Sequence, residues 1–227
     1  ALGPQGTRHR MSFDPALILD AWPALFRGIK TTIWLFFAIM GLCTPLALLV
    51  ALVRLSKVRG LRRASALYVN VIRALPLLVI LFFTFYGLPS LGIFVSPFTA
   101  AMIGMTLVTT AYLAEDLRAG LMAVPRGQFE AADALGLSPL RFVTRILVPQ
   151  ALPVMCGPYF TRAIVTVKAT SIASLVAVSE LTAESMAKVT ETYRSLEFLA
   201  FAALAYLVLS SLLALLQAWA QRRVTLR

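Results

Sequence analysis

Residues 128–153 read QFEAADALGLSPLRFVTRILVPQALP, and the way this stretch is held decides the fold. Gln128 to Leu135 reads as a short helix with Glu130 near its N-terminal end, where the helix dipole favours a negative charge. Gly136 predicts a left-handed stop. Ser138 and Pro139 then supply the N-cap and first-turn proline of a second helix reaching Ile146. Pro149 and Pro153 are expected to re-aim the chain. The product is a stiff knob held between two apolar stretches. The plainer alternative is an amphipathic loop lying on a lipid surface.

Outward from the knob, the composition is that of a membrane protein. Hydrophobic residues make up 59% of the 227 and charged ones 14%, and the mean hydropathy is +0.84, well outside the balance of a soluble domain. A net charge of +11 raises the question of nucleic acid. That reading needs Lys and Arg clustered on a polar face, whereas here they punctuate apolar runs. Topology explains them better, and no nucleic-acid partner is expected. Cys43 and Cys156 lie in apolar surroundings and His9 is the one histidine, so neither a disulfide framework nor a metal site is expected. The first apolar run follows Lys30, is too long for a signal peptide and lacks a cleavage site. Residues 1–10 precede the first Met and read as a tag or extension, which leaves 11–227 as a single domain.

Five spans are expected, at about 31–53, 66–86, 98–117, 153–178 and 198–220, with the loop 126–149 between the third and fourth. Runs of about 20 apolar residues suffice to cross the hydrocarbon core. Residues 12–28 predict a short interfacial helix, Pro45 a kink in the first span, and 179–197 a polar loop holding four of the ten acidic residues. The ends after spans one, three and five carry twelve Lys and Arg, against four on the opposite face counted from Met11. The positive-inside rule then puts the N-terminus outside, with the C-terminus and the knob in the cytoplasm. The fold class is an all-α polytopic membrane protein. No internal repeat is evident.

Glu130, Ala131 and Ala132, then Gly136, Ile146 and Pro149 at fixed intervals, make a pattern that resembles the coupling loop of permease subunits in ATP-driven (ABC) importers. VPRGQFEAADALGLS, PQAL, AYLAE and YVNVIRALPLLV narrow this to permeases for polar amino acids, and matches run in order from about Thr31 to Trp219. The resemblance implies a multi-pass protein of the bacterial inner membrane. It implies a second permease subunit, identical or similar, two ATP-binding subunits that use ATP and Mg, and an extracytoplasmic solute-binding protein. It gives the coupling role to Glu130, Ala131, Ala132, Gly136 and Pro149. The chain departs from the family at Ala74 and Leu75 (RALP for RGTP), at Ala169 in KATS, and at Pro153 after PQAL.

No phosphate-binding GxxxxGK[ST], GxSxG elbow or metal cluster occurs, so no catalytic residue and no bound cofactor are expected. Charges inside spans mark function by default, and here they are Arg73, Glu115, Asp116, Arg162 and Lys168. Tyr112 and Glu115, three apart, share a helix face. Glu115 would pair with a basic side chain of another helix or meet substrate. Lys168, with Thr170 and Ser171 beside it, would pair with Glu180 or Glu184 or meet a substrate carboxylate. The path candidates are therefore Tyr112, Glu115, Lys168, Thr170, Ser171 and Arg73. The rival reading is an ATP-independent secondary transporter or channel subunit, against which the unrepeated five-span plan speaks.

Overall fold

The computed structural model describes residues 13–225, so the expected tag at 1–10 lies outside the described residues. Every regular element among them is helical. A short α1 (Ala16–Asp20) leads through Ala21 into α2 (Trp22–Leu55). The expected interfacial helix is thus only α1, and the first span begins well before residue 31. Pro23 lies in the first turn of α2, where its missing N–H breaks no helical hydrogen bond. At 34 residues α2 is about 50 Å long, more than the roughly 30 Å hydrocarbon core. The helix is assigned without a break through Pro45.

The second span departs most from expectation. The helix α3 (Arg59–Ala74) already contains Arg59, Arg62 and Arg63, and the chain then bends by 104° into Leu77–Ser90. The cause is Pro76. A residue preceding proline is pushed out of the α region, and Leu75 sits at φ −90° and ψ 139°. Beyond it come α4 (Leu77–Phe82), a widened π turn over Phe83–Gly87, and α5 (Leu88–Ser90). The central helix α6 (Pro97–Met122) starts where the Ser96 hydroxyl accepts from the Thr99 N–H at 3.1 Å.

The knob is α7 (Arg126–Ala134), followed by α8 (Pro139–Phe142). Pro149 and Pro153 do not re-aim the chain. The helix runs on through a π turn at Val143–Leu147 into α9 (Val148–Ala169). A proline ring clashes with the carbonyl four residues back, and the wider turn lies where that clash would fall. The same arrangement precedes Pro89. After α9 the helix tightens to a 3₁₀ turn over Thr170–Val176 and stops at Ala177, φ 59°.

The expected polar loop at 179–197 is largely a helix, α10 (Leu181–Thr192), at 51° to the segment before it. Glu180 is the reason: its carboxyl accepts from the Ala183 N–H at 2.9 Å and caps the helix. The last element is α11 (Ser195–Thr225), and only 6% of its most apolar stretch is buried within the chain. Among the described residues, three helices are long and apolar enough to cross a membrane, or up to five if each bent pair is one span.

The core is made where α6 meets α2 and α9. Cys43, Ala47 and Ala51 of α2 face Ala114 and Leu117 of α6 and Ala163 of α9. Small residues at the seam let helix backbones approach closely, which is how helices associate where lipid offers no hydrophobic drive. Both cysteines are buried and free. The tightest approach of a glycine to the backbone of another helix is at Gly28, where an added Cβ would stand 2.8 Å from the Leu181 Cα. Gly28→Ala is therefore expected to lower the melting temperature of the detergent-solubilised protein by several degrees, an overpacking cost of roughly 1–3 kcal/mol. Gly60→Ala, with nothing within 4 Å of its Cβ, should leave it unchanged or raise it. Equal effects of the two substitutions would contradict this account.

Candidate functional site

Two features stand out, a charged cluster beside a cavity and the knob that joins the cavity's two walls. The carboxylates Glu115 and Asp116 are neighbours on α6, so their side chains point about 100° apart. Glu115 turns to α2, 3.0 Å from the Arg54 Nε, and accepts from the Arg118 Nη2 at 2.9 Å. Asp116 turns to α9, where its Oδ2 accepts from the Arg162 Nε at 3.1 Å and Nη2 at 2.9 Å. A charge within a membrane helix is expensive unless paired. These pairs set a cation against each carboxylate and bolt α6 to its two neighbours. Arg54 retains one buried nitrogen, Nη1, without a partner among the described residues.

Above the Asp116–Arg162 pair stands Tyr112. The Arg162 guanidinium carbon lies 4.7 Å from its ring centroid and that of Arg73 5.1 Å. The Tyr112 hydroxyl donates to the Arg73 carbonyl at 3.2 Å, which ties the end of α3 to α6. Each cation–π contact contributes about 0.5–2 kcal/mol. Together they hold two cations on one aromatic ring at the mouth of a cavity of about 330 Å³. Tyr112 and Arg162 line it, with Leu77, Met105, Val108 and Val165 as the apolar wall and Thr109 and Thr166 as hydroxyl groups.

The structure thus brings Tyr112 and Arg73 of the expected path together, and it places the others elsewhere. Glu115 does not line the cavity; it is engaged with Arg54 and Arg118. Lys168 is exposed and forms no ion pair among the described residues, so the expected pairing with Glu180 or Glu184 is not made. The Thr170 and Ser171 hydroxyls bond back to the carbonyls of Val167 and Lys168, at 2.7 and 2.8 Å. Glu180 instead accepts from the Tyr206 hydroxyl at 2.5 Å, and the Thr32 hydroxyl lies 3.5 Å away. Asp116 and Arg162 belong to the charged set legible in the sequence, but nothing there marks them as partners. Their pairing is the residue-level feature that the path candidates lack.

The knob owes its stiffness to local chemistry. Gly136 has φ +62°. Its N–H bonds to the Asp133 carbonyl and that of Leu137 to the Ala132 carbonyl, both at 3.0 Å, the two bonds of a Schellman cap. The rings of Phe129 and Phe142 meet at 4.8 Å and clamp α7 to α8. Gln150 donates to Gln128 at 3.2 Å. Ala132 is buried, while Glu130, Ala131 and Pro149 are exposed. Leu135 and Leu140 are 75% and 74% exposed, an apolar tip with nothing of this chain upon it.

Residues 21–226 match the family model described as the binding-protein-dependent transport system inner membrane component. The octopine transport system permease protein OccM of Rhizobium radiobacter is 35% identical over 94% of this chain and 93% of its own length. The L-cystine transport system permease protein TcyB of Bacillus subtilis (strain 168) is 41% identical over 70% of this chain and 68% of its own. Among solved structures, an amino acid ABC transporter crystallised with histidines superposes with a TM-score of 0.86 at 29% identity, covering 94% of this chain and all of that one. A methionine ABC transporter in an inward-facing form superposes at 0.75 with 20% identity and supports the fold alone. The chain therefore belongs to the binding-protein-dependent transport system inner membrane component family, the multi-pass permease subunits of ATP-driven importers, whose ATP hydrolysis lies in separate subunits.

Proposed function

We propose that this chain forms one half of the path by which a polar amino acid enters the cell. Relatives along nearly its whole length carry amino-acid or opine transport in their names, which supports the substrate class. The observation that carries the mechanism is the position of α7. It lies between α6 and the unbroken helix from Pro139 to Ala169, and these are the two elements that supply Tyr112 with Asp116 and Arg162 respectively. A push on an exposed, rigid α7 is delivered to both walls of the cavity at once.

In this reading the domain comprises residues 11–227 and crosses the membrane five times, with the N-terminus outside and the loop 126–149 in the cytoplasm. Glu130, Ala131, Ala132 and Gly136 form the face and the stop of a coupling helix that sits in the cleft of an ATPase subunit, and Pro149 helps set the return helix. Two such ATPases, using ATP and Mg, act on this permease and a second copy or a similar chain. A solute-binding protein delivers the amino acid to the outer face. Nucleotide binding and hydrolysis shift the pair between outward-facing and inward-facing populations. Tyr112 and Arg73 stand in the path, Glu115 braces its inner end, and Lys168, Thr170 and Ser171 lie where α9 tightens towards the outer side.

The test is uptake into proteoliposomes carrying the permease, its ATPase and its binding protein, screened across cationic, acidic and neutral polar amino acids. ATP-dependent accumulation of one class is the expected result. Flux of similar size without ATP would point to a secondary transporter instead.

A further inference from the structure

We infer that the Arg162–Asp116 pair is itself the receptor for the substrate's amino-acid head group, and that the cavity selects zwitterions with uncharged side chains. This rests on the permease reading above and names which solute the path takes. Three observations carry it.

The first is how the two ions meet. Both hydrogen bonds from Arg162 end on the same oxygen, Asp116 Oδ2. Arg162 Nη1 and Asp116 Oδ1 take no partner among the described residues, although the two side chains are only 22% and 26% exposed. The pair thus leaves one donor and one acceptor of its own unused. An α-carboxylate complements the first and an α-ammonium the second, so a zwitterion can join the pair without leaving either ion unmatched. A pair built only for stability gains most from parallel two-oxygen geometry, which this one does not use.

The second is the cavity on which Arg162 opens. Its 330 Å³ lies at the small end of ligand sites, which run from about 300 to 1,000 Å³. Its wall is Leu77, Val108 and Val165, relieved by the Thr109 and Thr166 hydroxyls. That wall suits an uncharged side chain able to make one or two hydrogen bonds.

The third is Arg73. Its guanidinium shares the Tyr112 ring with that of Arg162, and among the described residues it makes no ion pair. A second cation at the mouth repels lysine- and arginine-like side chains. Like charges at such range act strongly where water is scarce.

The experiment is equilibrium binding of radiolabelled L-glutamine, L-asparagine, L-serine, L-methionine, L-glutamate and L-arginine to the permease–ATPase complex in nanodiscs without binding protein. At least one neutral amino acid is expected to bind at least tenfold more tightly than L-arginine. Its decarboxylated and its deaminated counterparts should each compete at least tenfold more weakly than the zwitterion. The isosteric double variant Asp116→Asn with Arg162→Gln should lose at least tenfold in affinity. The exchanged pair, Asp116→Arg with Arg162→Asp, should restore the yield of assembled complex without restoring binding, because the head group would have to reverse against a fixed side-chain wall. A pair with only a structural role would be rescued by the exchange. Tightest binding of L-arginine, equal competition by the single-charge analogues, or affinity kept within twofold in the double variant would each overturn the inference. Failure of the underlying reading looks different: the unaltered complex, given its binding protein, would then drive no uptake of any amino acid.

Discussion

Gly136→Val is expected to reduce ATP-driven uptake by at least tenfold while leaving the chain inserted in the membrane at close to normal abundance. Gly136 sits at φ +62°, where an ordinary L-residue costs about 1–2 kcal/mol and a β-branched one is a true outlier. The two hydrogen bonds that close α7 depend on that conformation. Without them the Leu135–Leu140 tip loses its fixed angle to α6 and α9. The membrane core is untouched, since a Cβ added at this glycine would meet nothing within 4 Å. The measurement pairs initial uptake rate with ATPase rate in the reconstituted complex. Hydrolysis that persists while uptake falls is the signature of uncoupling. Uptake at the unaltered rate would remove α7 from the mechanism. Gly136→Asn, which tolerates the left-handed region, should retain most of the activity.

The second large effect is expected at Glu180. This residue is fully buried at the junction of three helices. Its carboxyl accepts from Tyr206 of α11 and caps α10, while the Leu181 N–H beside it donates to the Thr32 hydroxyl of α2 at 3.1 Å. Glu180→Leu strips the part-buried Ala183 N–H of its acceptor and the Tyr206 hydroxyl of its shorter hydrogen bond, leaving that hydroxyl only Thr182 at 3.2 Å. A donor left without its acceptor costs about 1–3 kcal/mol. The sum should lower the melting temperature by roughly 10 °C for a chain of this size, where 1 kcal/mol shifts it by about 2–4 °C. Glu180→Gln keeps one amide oxygen to accept from the Ala183 N–H and turns its NH2 towards the Tyr206 oxygen, which can accept in place of donating, and should lose less than half as much. The comparison is read by thermal unfolding in detergent with the membrane fraction counted beside it. Equal stability of the Leu variant and the unaltered chain would mean that the junction is held by packing alone.

What the sequence makes legible divides by range. Gly136, Ser138 and Pro139 act on their immediate neighbours, and their turn chemistry gives the knob's stop and the second helix start. The charge-free runs behind α6 and α11 are equally local signals. What lies hidden is set by distant partners. The helix α10 reads as a polar loop because its first turn is held by Thr32, 149 positions away from Leu181. Asp116 and Arg162 are 46 positions apart, and only the rotation of α6 decides that Asp116 faces Arg162 while Glu115 faces Arg54. Lys168 attracts attention by composition yet is exposed and pairs with neither Glu180 nor Glu184. Pro149 misleads for a different reason. Proline is a reliable breaker of a regular helix, but the turn before it has already widened.

That widened turn also fixes a phase. A π turn closes on the fifth residue rather than the fourth, so Val143–Leu147 holds one residue more than an α turn would. One residue is about 100° of helix rotation. Everything carried by α9 is therefore dialled around its axis by the length of a segment well short of the cavity, and Arg162 rather than a neighbour arrives opposite Asp116. The count of residues between Ser138 and Pro149 is in this sense part of the site's specification, as binding as the identity of the arginine itself.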